Sequence, residues 1–398
     1  MNKPWITIIG INQDDISTLN KLALKALSES EIIIGADRHI KKFELYKKKI
    51  HKWPNPFEKL ISDLKKNKGK KIVLLVSGNA FWFGLGTRIA IEFGREEWQC
   101  FQAPSSFSLA CAEMGWNMEN ILFFGLHAKK NEVLRTYLAP KVKFIILLKN
   151  GEAVKSLGNF FTKLGFGESN FTIFESLGHE EYKKTEIIAK ESNIKNIRHP
   201  ACVAIDTKGD GVVIPKSSGK PDYFFQNDGQ ITKQYIRSIT MSTLSPKPYE
   251  HLWDLGAGVG SVSIEWLLSD KTTVATAVEI DKKRVRLIEK NCKLMGISRL
   301  NILNNDINKV ILKLKKPDVV FIGGGFNEKL FKKIWNFVPK NTRIIVNSVT
   351  IETESCITKL SNIYGGQLLK IEISNTKKIG KNNVWSNNYP IVQWKVIK

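Results

Sequence analysis

From residue 5 to about residue 206, short runs rich in β-branched residues alternate with stretches whose apolar positions recur every three or four residues. The runs are ITIIG, IIIG, KIVLLVSG, ILFFGLH, KFIILLK, FTIFESLG and ACVAID. This alternation predicts an α/β domain. Between Asp206 and Gln230 the pattern gives way to TKGDGVVIPKSSGKPDYFFQNDG, rich in Gly, Pro, Ser and Lys and without a helical period. That stretch predicts a linker at 207–229 between domains at 1–206 and 230–398. Alternation then resumes: HLWDLG, a helix over 261–268, TVATAVEI, a helix over 282–295, NILNND, VVFIGGG, a helix ending near Val338, TRIIVNSV and a helix over 352–363. Two strands, GQLLKIEIS and IVQWKVI, follow with no helix between them. They predict a parallel sheet closed by an antiparallel end hairpin, with an antiparallel strand at its edge.

Composition narrows the class of protein. A chain of 398 residues is longer than one hydrophobic core usually organises. Its hydrophobic content of 42% is ordinary, and no apolar run approaches the ~20 residues that span a bilayer. The start MNKPWITIIG enters a strand without the pattern of a secretory signal. The expectation is a cytoplasmic protein with no membrane partner. Five scattered cysteines without a CxxC pair predict reduced, buried thiols, and six histidines in no ligand spacing predict no metal site. The net charge of +23 is shared by both halves and comes with lysine in large excess over arginine, alongside abundant Asn and Ile. A coding bias accounts for much of that lysine, so the charge does not by itself indicate nucleic acid. It also suits a small polyanionic substrate.

The strongest chemical signal is Trp253-Asp254-Leu255-Gly256-Ala257-Gly258-Val259-Gly260, where a predicted strand meets a predicted helix. Glycines at 256, 258 and 260 let the backbone turn sharply and approach a ligand, and the following helix offers free N–H groups. The next strand ends in Glu279, where a carboxylate can accept hydrogen bonds from ribose hydroxyls. The third ends in Asn305-Asp306 on the same sheet edge. Asp254 suits a role in bonding the loop's own N–H groups. The fourth strand ends in Gly323-Gly324-Gly325-Phe326, which offers no side chain to an amine and leaves room for a bulky substrate around Gly324.

The GxGxG spacing, with its preceding acid and the closing hairpin, resembles the class I methyltransferases, whose Rossmann-like fold binds S-adenosyl-L-methionine. The stretches DGQITK at 228–233, LWDLGAGVGSVSIEW, and IGGG followed by VNSVTIETE resemble cobalamin-pathway enzymes that methylate carbon 15 of a precorrin. That resemblance implies cofactor contacts at Thr232, at Gly256, Ala257, Gly258, Val259 and Gly260, at Glu279 on the ribose, and at Asp306 beside the adenine. The pieces VSGNAFWFGLGTRIA, APSSFSLACAEMGW and FFGLHAKK resemble the tetrapyrrole methylases, a two-lobed α/β fold that holds the same cofactor between its lobes. There the implied cofactor residues are Gly78, Ser105 and Ser106, although a turn glycine and helix-capping serines also suit those positions. Two departures stand out: Gly10-Ile11-Asn12-Gln13-Asp14 replaces the usual Gly-x-Gly-Pro-Gly turn, and Gly78-Asn79-Ala80 replaces Gly-Asp-Pro.

Fusion of these halves in this order resembles the precorrin-6Y C5,15-methyltransferase (decarboxylating) family. The resemblance implies a homo-oligomeric enzyme of vitamin B12 synthesis that methylates a tetrapyrrole twice and decarboxylates a ring acetate, without nucleic acid. Arg237, beside the Thr232 turn, is the candidate clamp for a substrate carboxylate, with an exposed structural role as its alternative. His127 can approach the N-terminal cleft or be a plain loop residue, so no catalytic residue is assigned. The competing functions are an RNA methyltransferase, which the charge and the class I core would suit, and a chain whose N-terminal half binds without catalysing.

Overall fold

A computed structural model describes residues 4–11, 19–41, 49–82, 84–178, 181–198 and 201–398. The chain forms two compact units, one of Met1–Asn131 with Ala139–Val212, the other of Glu132–Leu138 with Val213–Lys398.

The first unit contains two sheets. Strands β1 (Ile6–Ile11), β2 (Ile32–Gly35), β3 (Lys49–Lys52), β4 (Ile72–Ser77) and β5 (Trp98–Phe101) form a parallel sheet in the order β3-β2-β4-β1-β5. β1, β2 and nearly all of β4 are buried, because unbroken Ile, Val and Leu runs suit strands covered on both faces. Strands β6 (Ile121–Gly125), β7 (Lys143–Leu147), β8 (Asn170–Glu175), β9 (Lys183–Ile188) and β10 (Ala201–Asp206) form a mixed sheet in the order β6-β7-β10-β8-β9. The two-lobed α/β architecture is the one expected from the sequence. Strands β3, β5 and β9 were not legible there, and each lies at a sheet edge.

The second unit is built on a seven-stranded sheet. Its members are β11 (His251–Leu255), β12 (Val274–Glu279), β13 (Leu300–Asn304), β14 (Val319–Ile322), β15 (Arg343–Ser348), β16 (Gln367–Ile371) and, after a separate hairpin of β17 (Ser374–Ile379) and β18 (Asn382–Asn387), β19 (Ile391–Ile397). The order is β13-β12-β11-β14-β15-β19-β16. Only β19 runs against its neighbours, as its antiparallel pairing with both β15 and β16 shows. The sequence pattern placed the antiparallel strand at the edge; the structure instead seats it inside the sheet. Its buried Val392, Gln393, Trp394 and Val396 account for that position.

The segment read as a linker is also different. Val213 onward belongs to the second unit, and Ile214, Phe224 and Phe225 enter a core that includes Leu252 and Trp266. Burial of these side chains, rather than a helical or strand period, orders that stretch, which is why pattern reading missed it. Three of the five cysteines are buried and Cys100 and Cys356 are half-buried, a partial departure from the expectation, and all five are free thiols. No helix among the described residues is long and apolar enough to cross a membrane, and no group of metal-ligating side chains occurs among them.

Candidate active sites

In the second unit, β11 delivers the chain into the glycine loop, and the helix Ser261–Ser269 follows at once. Gly256, Gly258 and Gly260 have φ of 71°, 58° and 77°, a left-handed conformation in which a Cβ is strained. At Gly260 a Cβ would also lie 2.8 Å from the Ile288 side chain. The Glu279 carboxylate sits under the loop, accepting from the Gly258 N–H at 2.8 Å and from the Asp281 N–H at 2.9 Å. Each oxygen retains a lone pair for a hydroxyl donor. Asp254 is buried behind the loop, and one of its oxygens accepts from the backbone N–H and the hydroxyl of Ser263. Burial pushes its carboxyl up to about 6, against the opposing pull of the Ser263 bonds. Its other oxygen has no partner among the described residues.

A second group of residues closes around this loop. The Gln230 carbonyl lies 3.9 Å from where a Cβ on Gly258 would sit, which puts the turn leading to Thr232 against the loop. Asn291, fully buried in the helix Lys282–Leu294, fixes that approach: its amide exchanges hydrogen bonds with the Gln226 backbone at 2.7 and 2.9 Å and donates to the Val259 carbonyl at 2.9 Å. The sequence signal for it was an Asn on the apolar stripe of Val285 and Ile288. Asp306 caps the short helix after β13 by accepting from the Asn308 N–H at 2.8 Å. Asn305 N–H donates to the Glu279 carbonyl, so the ends of β12 and β13 are joined. Around Gly324 no heavy atom comes within 4 Å of a Cβ, an open space beside the loop.

Arg237 does not face that space. It is fully buried, donating to Glu265 at 2.7 Å, to Asp222 at 3.1 Å and to the carbonyls of Thr232 and Lys220, with its guanidinium over the Phe225 ring. Glu265 accepts in addition from the Gly219 and Lys220 N–H groups. A guanidinium so committed cannot clamp a substrate carboxylate, which corrects both the clamp and the exposed role. Arg237 instead holds the Thr232 turn and the 219–222 segment in place.

In the first unit, a cavity of about 340 Å³ lies between residues of the two sheets. Gly78, Ser105, Ser106 and His127 all line it, together with Trp53, Phe57, Trp82 and Phe107. β4 ends at Ser77, and Gly78 (φ 57°) turns the chain so closely to β1 that a Cβ on Gly10 would lie 2.0 Å from the Gly78 carbonyl. Asn79, standing in the position of the usual Asp, accepts from the Phe81 N–H at 2.9 Å and so closes the turn. Ser105 caps the helix Ser106–Met114 by accepting from the Ser108 N–H at 3.1 Å. Desolvation holds the His127 imidazole below its usual pKa. Of the other sequence features, Asn12 to Asp14, His179 and His199 lie outside the described residues.

Comparison with known proteins gives these two sites a context. Residues 6–187 match the family model of tetrapyrrole (corrin/porphyrin) methylases, and residues 223–398 match that of the precorrin methyltransferase domain. A precorrin-6Y C(5,15)-methyltransferase [decarboxylating] from Sinorhizobium is 31% identical over 98% of this chain and 96% of its own length. The chain belongs to the precorrin-6Y C5,15-methyltransferase (decarboxylating) family. A second member, from Mycobacterium tuberculosis, is 26% identical over 99% of this chain and all of its own. The solved C-terminal domain of the Rhodobacter capsulatus member is 36% identical across its full length, covers 46% of this chain and superposes with a TM-score of 0.45.

The family's methyl donor, S-adenosylmethionine, fits what both units present. In the second, the left-handed glycine loop leaves a shallow cradle that a Cβ would fill, bordered by a carboxylate with spare lone pairs and backed by a buried acid with an unpartnered oxygen. An acid-lined cradle suits a ligand that carries a diol and a positive charge. In the first, the cavity has the volume of a small-molecule site and aromatic walls.

Proposed function

We propose that this chain methylates carbons 5 and 15 of precorrin-6Y and releases a ring acetate carboxyl as carbon dioxide, with S-adenosylmethionine as donor. The first unit acts at carbon 5; the second acts at carbon 15 and on the acetate. The observation that carries this reading is the near-complete coverage of a 31%-identical relative by one chain that contains both family regions in the same order. By the same resemblance it works as a cytoplasmic homo-oligomer, with no nucleic-acid or membrane partner.

S-adenosylmethionine supplies an electrophilic methyl group. The chain's own contribution is to hold an electron-rich ring carbon in line with that methyl and to exclude water. In the second unit the loop held by Asn291 and Glu279 provides the fixed seat, and the open space at Gly324 admits a flat, bulky ring. When the acetate C–C bond breaks there, its electron pair enters the conjugated ring and enriches the carbon to be methylated. In the first unit Trp53, Phe57, Trp82 and Phe107 give the cavity an aromatic lining.

Mass spectrometry of the precorrin substrate after incubation with the chain and S-adenosylmethionine tests this function. The expected product has gained two methyl groups and lost one carbon dioxide. One methyl gained with carbon dioxide lost would assign catalysis to the second unit alone. No change, with methyl transfer to RNA instead, would overturn the reading.

A further inference from the structure

We propose that His39, acting through the Ser77 hydroxyl, takes the proton that leaves ring carbon 5 when the first unit methylates it, an inference that rests on the function just given. A meso carbon bears one hydrogen, and it is part of the ring's conjugation before and after methylation. Its π electrons form the new bond to the methyl carbon as the methyl–sulfur bond breaks, with that pair staying on sulfur. The ring carbon then carries methyl and hydrogen together, and conjugation returns when the C–H bond breaks and its electron pair rejoins the ring. One proton must therefore be accepted for each methyl delivered, and no oxidant or reductant is needed.

The cavity lining restricts what can accept it. Among the described residues around it there is no carboxylate, lysine, cysteine or tyrosine; its two titratable side chains are His39 and His127. His39 lies in the helix Asp37–Ile40, is 3% exposed, and has its Nε2 3.0 Å from the Ser77 Oγ at the end of β4. Ser77 is exposed, adjoins Gly78 and lines the cavity, so its hydroxyl is open to a ring carbon held there. Passing one proton inward while receiving another, the hydroxyl ends unchanged, and the charge comes to rest on a histidine. His127 follows β6 on the other sheet's side, is exposed, and is on the side away from Ser77.

Timing follows from charge. The methyl donor is cationic before transfer and neutral after it. A second cation on His39 is therefore disfavoured while the methyl is still on sulfur and becomes tolerable once it has left. Among the described residues, Asp37 on the same short helix pairs at 2.9 Å with Lys52 of β3 in solvent, and β4 presents the neutral Ser77.

The test uses the full chain with precorrin deuterated at carbon 5, and reads carbon-5 and carbon-15 methylation separately. His39→Gln and Ser77→Ala are expected to slow carbon-5 methylation about 100-fold or more, the usual scale of a lost general base, with carbon-15 methylation unchanged. A primary deuterium isotope effect at carbon 5, absent from the unaltered chain, should appear in both variants, and imidazole should restore His39→Gly. Independently of turnover, the His39 imidazole should titrate at lower pH by NMR with S-adenosylmethionine bound than with S-adenosylhomocysteine. Carbon-5 methylation that His39→Gln leaves within about threefold, an isotope effect that appears on His127→Gln instead, or identical titration with both ligands would overturn the assignment while leaving the function standing. No carbon-5 methylation by the unaltered chain would overturn both.

Discussion

Single residues in this protein divide by whether their polar atoms are spent on the fold or left for a ligand. Arg237 is wholly spent: every partner it has is protein, and replacing it would leave Glu265 and Asp222 as uncompensated charge. Asp254 is half spent, one oxygen bonded to Ser263 and the other without a partner, in surroundings that penalise its charge. Its carboxyl, pushed up to about 6, binds a proton in the folded chain that the unfolded chain has already released. Stability from this group is therefore present below its unfolded value and lost as pH rises through about 6. The loss is at most about 3 kcal/mol for a shift of this size. Hydrogen exchange of the buried β11 amides should show opening become easier between pH 4 and 7, and Asp254→Asn, which keeps an acceptor for Ser263, should flatten that slope.

At the scale of elements, burial made the central strands legible, whereas β16 was read with four of its five positions exposed. Strands with two covered faces were plain in the sequence because Ile, Val and Leu fill them without interruption, as in Ile72–Ser77 and Ala201–Asp206. Those missed have at least one uncovered side: KIHK and KKTEII, at two sheet edges, have no buried position, and the hairpin β17–β18 is exposed at every position. The site divides likewise. The glycine loop, Glu279 and Ser105 announced themselves through local backbone chemistry, whereas His39, Glu265 and Asn291 act across 28 to 65 positions of sequence. No local pattern carries such partners. Because β17–β18 contributes nothing to a core, and the Asn388 N–H already donates to the Ile373 carbonyl at 2.9 Å, an Asn-Gly turn can replace 374–387. That variant should melt within a few degrees of the full chain by circular dichroism, which a substantial drop would contradict.

The whole molecule joins two differently built candidate cofactor sites in one polypeptide, and their chemistry separates them experimentally. Calorimetry should count two S-adenosylmethionine molecules per chain. Glu279→Gln should weaken one of them about 10- to 100-fold, the cost of a charged hydrogen bond or two, and leave the other and carbon-5 methylation untouched. A single site lost in full, or both weakened together, would contradict the division of labour.

The insertion of β19 between β15 and β16 bears on how the second unit comes into being. A ribosome delivers β16 before β19, so at the moment β16 emerges the place beside β15 is not its own. Had it docked there, parallel to β15, it would have to leave again for β19 to enter. Order along the chain and order across the sheet therefore run in opposite directions at this edge. The exposed hairpin between the two strands gives β16 a tether long enough to wait.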